Sequence, residues 1–142
     1  MRQLDKILVH PLKEINLAGG DVLHALKQSD QGYKNFGEVY FSKIKFNAVK
    51  AWKFHKKMSL NLVVPIGNVK FVFFDEHESK FREIIIGQTN YKRIFVPPKI
   101  WFGFKGLKKP SSLILNLADT IHNKNEQNIR DTKYFNYNWN KK

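Results

Sequence analysis

Residues 60–75, with the sequence LNLVVPIGNVKFVFFD, decide the fold class. Two apolar runs, 60–64 and 69–74, flank a short Pro-Ile-Gly-Asn segment. β-Branched and aromatic residues are typical of strands, and proline, glycine and asparagine are typical of turns. The stretch therefore predicts two strands, and the short connection between them favours an antiparallel hairpin.

Short segments of the same character recur on both sides of this stretch, at a spacing of roughly ten residues. They are 39–46, 83–86, 93–96 and 113–117. Helical periodicity is scarce along the chain. Many short strands separated by turn residues predict an all-β protein, and closure of the sheet edges favours a jelly-roll barrel of short antiparallel strands with few or no helices.

The chain of 142 residues is predicted to form one domain, 1–142. Its C-terminal tail, about 122–142, is polar and rich in asparagine, yet it carries late aromatic residues such as Phe135 and Trp139. Because large aromatic side chains are rarely left in water, the tail is expected to pack back on the body or on a second subunit.

The charge balance is strongly basic, with 25 Lys and Arg residues against 12 Asp and Glu residues and a formal net charge of +13. Such a surface attracts nucleic acid, anionic lipid or a phosphorylated small molecule. The charge alone does not choose among these partners, although the sequence contains no RNA-recognition aromatic pattern and no apolar run long enough to span a membrane. The complete lack of cysteine excludes disulfides and thiolate chemistry and fits a cytoplasmic location.

The richest segment for chemistry is 49–61, VKAWKFHKKMSLN. In an extended chain, Lys53 and His55 share one face, and Trp52 and Phe54 share the other. A lysine beside an inward-facing histidine can form an acid/base pair, because burial and the neighbouring charge both lower the pKa. The same residues would also suit a solvated edge strand. A metal site is not expected, since no carboxylate follows at a suitable spacing.

A second dense segment is 96–104, VPPKIWFGF. Two prolines predict an extended entry. Trp101 lies on one face of the following strand, and Phe102 and Phe104 lie on the other. These rings could stack on a base or a sugar, or they could simply form core.

Taken together, the two segments resemble the cupin-fold sugar-nucleotide isomerases, namely the dTDP-4-dehydrorhamnose 3,5-epimerases and the dTDP-4-keto-6-deoxyhexose 3,4-ketoisomerases. The ketoisomerase motif Arg-Gly-Phe-His-x-His-Lys-Lys lies without gaps on residues 50–57, KAWKFHKK. The later Pro-x-x-Trp-His motif lies on residues 98–102, PKIWF. The sequence departs from these motifs at Lys53 and Phe102, where the families have histidine, and at Leu60, where the epimerases have lysine.

The resemblance implies a cupin-type jelly roll that acts as a cofactor-independent epimerase or ketoisomerase on a 4-keto-6-deoxy nucleotide sugar. It implies His55 as base or proton shuttle and Lys53 as oxyanion partner or alternative base. The candidates for substrate binding are Lys50 and Arg93 at the pyrophosphate, Tyr91 or Trp101 against the nucleotide base, and Asn61 and Asn116.

The resemblance further implies a cytoplasmic homodimer formed through N-terminal strands around residues 7–9, with a role in surface-polysaccharide synthesis. Because of the motif departures, the alternative is a cupin that binds a nucleotide sugar or glycan without turnover. A third alternative is a basic nucleic-acid binder, which the net charge of +13 allows but no motif supports.

Overall fold

The computed structural model describes residues 2–141, and strands dominate it. Its helical segments are two short 3₁₀ turns, Gln3–Lys6 and Lys124–Glu126. The strands in chain order are β1 (Leu8–Pro11), β2 (Glu14–Ile15), β3 (Val22–Leu23), β4 (Glu38–Lys45), β5 (Val49–His55), β6 (Leu60–Ile66), β7 (Asn68–Asp75), β8 (Lys80–Gly87), β9 (Lys92–Val96), β10 (Trp101–Gly106), β11 (Ser111–Ala118) and β12 (Gln127–Ile129). No helix within residues 2–141 is long and apolar enough to cross a membrane.

Ten of the strands form two five-stranded antiparallel sheets. Sheet I has the order β1-β9-β6-β11-β4, and sheet II has the order β12-β5-β10-β7-β8. β2 and β3 pair with each other in a separate small hairpin. The expected all-β jelly roll is therefore confirmed.

The hydrophobic core lies between the two sheets. Alternate residues of β6 and β9, among them Leu62 and Ile94, point inward from sheet I. Phe71 and Phe73 meet them from sheet II. All four side chains are excluded from solvent, so truncating any one to alanine would cost about 2–5 kcal/mol of stability.

The expected hairpin between the two apolar runs is wrong. β6 pairs with β9 and β11 in sheet I, while β7 pairs with β8 and β10 in sheet II. The chain crosses between the sheets at Gly67, which has φ 94° and leaves no room for a Cβ beside Ser112. Both strands have two partners in their own sheet, and this corner lets each bury its apolar face in the shared core.

A second apolar cluster covers the outer face of sheet II. Trp52 and Trp101, on neighbouring strands, pack there against Phe135 and Trp139 of the C-terminal tail. The tail therefore packs back on the body, as expected from its aromatic content. It also pairs with β5 through β12.

Candidate functional site

A cavity of about 370 Å³ opens between the two sheets. Its walls carry a set of polar and basic side chains and an apolar set. The polar and basic side chains are Tyr40, Ser42, Lys50, Lys53, His55 and Asn116. The apolar lining includes Leu60, Phe102, Phe104 and Ile129.

Strand β5 supplies the basic groups of this cavity. Lys53 and His55 face inward, while Phe54 packs outward against Trp101. The predicted alternation is therefore confirmed. The alternative of a solvated edge strand is wrong, because β5 lies inside sheet II and His55 is 5% exposed.

A bulge brings Lys50 to the same cavity. Lys50 and Lys53 are an odd number of residues apart and would lie on opposite faces of a regular strand. Phe104 of β10 pairs with Lys50 and Phe102 pairs with Lys53, so two residues of β5 stand opposite Gly103 alone. The extra residue restores the inward direction and places both lysines in the wall of the cavity that His55 also lines.

The imidazole of His55 is held by a carboxylate. Nδ1 of His55 lies 2.5 Å from Oε1 of Glu126. The other oxygen of Glu126 accepts hydrogen bonds of 3.1 Å from the backbone N–H groups of Lys57 and Met58. Because Nδ1–H donates to the carboxylate, Nε2 is the nitrogen that keeps a free lone pair.

Burial and a neighbouring cation favour the neutral form of this histidine. Burial lowers the pKa of His55 below its ordinary value, and the positive charge of Lys53 lowers it further, while Glu126 opposes both effects. Burial also lowers the pKa of Lys53, assisted by the charge of Lys50 and opposed by Glu126. A neutral imidazole with a free Nε2 can accept a proton, and an adjacent ammonium can stabilise an anion.

Glu126 was not predicted from the sequence. It lies in the polar tail, where no periodicity indicates a strand. Pairing of β12 with β5 sets Gln127 opposite His55, and the backbone N–H of Lys56 donates to the carbonyl of Glu126 at 2.8 Å. Burial acts to raise the pKa of Glu126, but hydrogen bonds from His55, Lys57 and Met58 outweigh it and lower the pKa.

Strands β4 and β11 of sheet I add the polar groups on the far wall. The side-chain amide of Asn116 donates to Oγ of Ser42 at 3.0 Å and to the carbonyl of Tyr40 at 3.4 Å. Burial and the charge of Glu38 raise the pKa of Tyr40, so its phenol keeps its proton. Of these residues, only Asn116 was expected from the sequence.

The other predicted site residues lie elsewhere. Trp101 is on the outer face of sheet II, where its indole N–H donates to Glu76 at 3.2 Å. The hydroxyl of Tyr91 donates to the carbonyl of His24. Asn61 and Arg93 hydrogen-bond each other at a second cavity on the outside of sheet I. The structure thus brings together four of the predicted site residues in one cavity, namely His55, Lys53, Lys50 and Asn116. The other four, Trp101, Tyr91, Asn61 and Arg93, lie outside that cavity.

No three histidine, aspartate or glutamate side chains within residues 2–141 lie close enough to share a metal ion. The groups that the cavity does assemble are a base paired with a carboxylate, two ammonium groups and a phenol. They suit proton transfer next to a group that develops negative charge.

Comparisons with solved structures find proteins that share the fold. A dTDP sugar isomerase from Desulfovibrio desulfuricans G20 is 29% identical, with a TM-score of 0.91 over 95% of this chain and 91% of its own. The 3,4-ketoisomerase QdtA from Thermoanaerobacterium thermosaccharolyticum, solved in complex with TDP, is 16% identical with a TM-score of 0.76 over 93% of each chain. The dTDP-4-dehydrorhamnose 3,5-epimerase from Bacillus anthracis str. Ames is 13% identical with a TM-score of 0.81, over 99% of this chain and 88% of its own. At these low identities, the ketoisomerase and the 3,5-epimerase show that this chain has the same fold as they do, and no more.

Sequence comparison finds one curated relative and a family. The probable low-salt glycan biosynthesis epimerase Agl13 of Haloferax volcanii is 26% identical over 89 residues, a match that spans 58% of this chain and 57% of the relative. That is less than two thirds of the relative's length. The family described as "FdtA: WxcM-like, C-terminal" matches residues 9–140. Because this match covers nearly the whole chain, the chain belongs to that family, and the resemblance to the cupin-fold sugar-nucleotide isomerases is confirmed.

Proposed function

We propose that the protein is a cofactor-independent epimerase or 3,4-ketoisomerase acting on a 4-keto-6-deoxy nucleotide sugar, in the synthesis of a cell-surface glycan. The observation that carries the proposal is the free Nε2 of the His55–Glu126 pair at the wall of an inter-sheet cavity. The similarity to a dTDP sugar isomerase supports the choice of substrate class.

The first step is proton abstraction. Nε2 of His55 removes the proton from the sugar carbon next to the 4-keto group. The C–H electron pair becomes the C=C bond of an enediolate, and the carbonyl electrons move onto oxygen. The carboxylate of Glu126 stabilises the imidazolium that forms, and the ammonium of Lys53 stabilises the oxyanion.

The second step returns a proton. In a ketoisomerase, the imidazolium gives its proton to the former carbonyl carbon. The hydroxyl on the neighbouring carbon gives its proton to the oxyanion, so that this neighbouring carbon becomes the new ketone and the former carbonyl carbon carries the hydroxyl. In an epimerase, a donor on the opposite face protonates the original carbon. Tyr40 is the candidate for that donor, because its phenol belongs to sheet I, across the cavity from His55.

The remaining lining suits the other parts of such a substrate. Lys50 is an exposed cation in the cavity wall and would neutralise a phosphate of the pyrophosphate. Phe102 and Phe104 present rings that would contact the sugar ring and its 6-methyl group. Asn116 would hydrogen-bond a sugar hydroxyl.

We also propose that the active form is a cytoplasmic homodimer. β1 is the edge strand of sheet I, where it pairs with β9 alone. Its other side is open to pairing with another chain.

Solvent exchange tests the proposal. In D₂O, the protein should incorporate deuterium into dTDP-4-keto-6-deoxyglucose at the carbon next to the carbonyl. The loss of the corresponding proton signal in ¹H NMR spectra measures the exchange rate. The variant His55→Asn should lose about 10²–10⁴-fold in exchange rate, the usual contribution of a general base. Its melting temperature should stay close to that of the unchanged protein. Full exchange by His55→Asn would remove this residue from the mechanism.

The second candidate function is binding of a nucleotide sugar without turnover. It is supported by Lys53 and Phe102, which line the cavity and stand where the motifs of the isomerase families that the sequence resembles have histidine. The same experiment separates the candidates, because a binding protein would shift the resonances of the nucleotide sugar without catalysing exchange.

A further inference from the structure

We propose that the second cavity, on the outside of sheet I, binds a phosphate group. This cavity has a volume of about 380 Å³ and lies between the end of β1, residues 24–31 and β9. Its lining contains the basic residues His10, Lys13, His24, Lys27 and Arg93, and one acidic residue, Asp30.

Arg93 is the centre of the argument. Its side chain is 2% exposed, so its charge is almost completely removed from water. Nη1 donates to the side-chain carbonyl of Asn61, and Nη2 donates to the carbonyl of Gln31 at 2.9 Å. Nε is buried without a hydrogen-bond partner, and no carboxylate within residues 2–141 lies within 4.0 Å of the guanidinium. Buried charges are normally paired, but the hydrogen-bond partners of this one are neutral oxygens, and the carboxylate of Asp30 acts on it only from beyond ion-pair distance.

His10 provides a second group in the same condition. In the register of β1 and β9, His10 stands directly opposite Arg93, so both side chains lie on the same face of sheet I. Nε2 of His10 is buried and has no hydrogen-bond partner among residues 2–141. Two neighbouring side chains therefore each have an unpaired nitrogen beside one cavity. An oxyanion bound there would give these nitrogens a hydrogen-bond partner.

The remaining lining favours phosphate over a neutral ligand. Lys13 and Lys27 are exposed at the cavity and add two positive charges against the single carboxylate of Asp30. Asp30 is already engaged by the backbone N–H of Lys27 at 2.8 Å. A guanidinium with flanking ammonium groups is the combination that proteins use to bind phosphate.

This cavity is separate from the His55 cavity. Arg93 alternates along β9 with Ile94 and Val96, which point into the core. The side chain of Arg93 therefore projects from the opposite face of sheet I, and the two cavities share no lining residue. The inference does not depend on the proposed isomerase activity.

Calorimetric titration at constant ionic strength tests the inference, with inorganic phosphate and glucose 1-phosphate as probes. Saturable binding of either probe is expected. The variant Arg93→Met should abolish binding, and the double variant Lys13→Gln/Lys27→Gln should weaken it at least tenfold. Tighter binding of inorganic phosphate would identify the free ion, and tighter binding of glucose 1-phosphate a phosphorylated metabolite.

The controls exclude a general charge effect and a folding defect. The double variant Lys43→Gln/Lys108→Gln removes the same charge at exposed positions outside the cavity and should bind like the unchanged protein. Should Arg93→Met fail to fold, the Lys13/Lys27 variant decides alone. Equal weakening in both double variants, or no saturable binding because a second copy of the chain covers the cavity, would overturn the inference.

Discussion

Nδ1 of His55 lies 2.5 Å from Oε1 of Glu126, although the two residues are 71 positions apart in the sequence. The carboxylate is also fixed by the backbone N–H groups of Lys57 and Met58. The histidine is therefore held in one tautomer before any substrate binds, and its Nε2 remains free to act as a base.

The substitution Glu126→Gln tests this orientation. Its amide can donate to Nδ1, which would move the imidazole proton to Nε2 and block the base. We expect the deuterium exchange rate to fall by about 10²–10⁴-fold. Because Glu126 raises the pKa of His55, ¹⁵N NMR titration of the imidazole should show a further decrease. Glu78→Gln, a matched charge change away from the cavity, should alter neither quantity.

The substitution Lys53→Met should move the same pKa in the opposite direction. The charge of Lys53 lowers the pKa of His55, so its removal should raise that pKa and shift the acidic limb of the activity profile to higher pH. Turnover should also fall, because the developing oxyanion loses its cation. NMR titration of His55 measures the shift independently of activity. Lys57→Met, whose side chain is exposed, serves as the control; an identical titration in both variants would contradict the assignment.

Stability should depend on pH through His55. Its pKa in the folded protein is below the ordinary value of 6.5, so the unfolded chain binds more protons as the pH falls through that value. The free energy of unfolding should therefore decrease from pH 7 toward pH 5. In His55→Asn this decrease should be smaller. Urea titrations of both proteins at several pH values measure it, and parallel curves would refute the prediction.

The aromatic tail should detach locally when its anchor is removed. Phe135 is 9% exposed and packs on Trp52, whereas its neighbour Tyr134 is 56% exposed. In Phe135→Ala, we expect faster hydrogen exchange at the amide of Arg130, which is bonded to the carbonyl of Trp52, with little change in β7. Tyr134→Ala should leave the amide of Arg130 and the amides of β7 protected from exchange. Uniform acceleration across the body would indicate global destabilisation instead.

The bulge in β5 depends on Gly103. A Cβ at this position would lie 2.4 Å from Cβ of Ala51, and neither group can rotate away. Gly103→Ala should therefore destabilise the protein by about 1–3 kcal/mol and displace the inward lysines. At Gly19, a Cβ would meet nothing within 4 Å, so Gly19→Ala should change stability by less than about 0.5 kcal/mol. Urea titration compares the two variants.

The strands and the inward direction of His55 could be predicted from sequence because alternation and β-branched residues encode them locally. The partners of a strand are not encoded locally. Nothing in residues 60–75 distinguishes a hairpin from a corner between two sheets, and the clash behind Gly67 involves Ser112, far along the chain.

The candidate site was predictable only in part, for a related reason. Trp101 stands in a run of aromatic residues, where alternation does not tell which ring points inward. Arg93 and Asn61 lie on strands that are buried on both faces. The apolar pattern of such a strand does not show from which face of the sheet a polar side chain projects. Glu126 comes to His55 only through tertiary pairing of the tail.

The corner of the chain at Gly67 also determines how the protein unfolds. Gly67 alone separates β6 from β7, yet these strands occupy the interiors of opposite sheets. Neither sheet can therefore assemble from a continuous stretch of the chain, and one cannot melt without disturbing the other. Both walls should therefore unfold cooperatively, and the His55 cavity should be lost in a single transition.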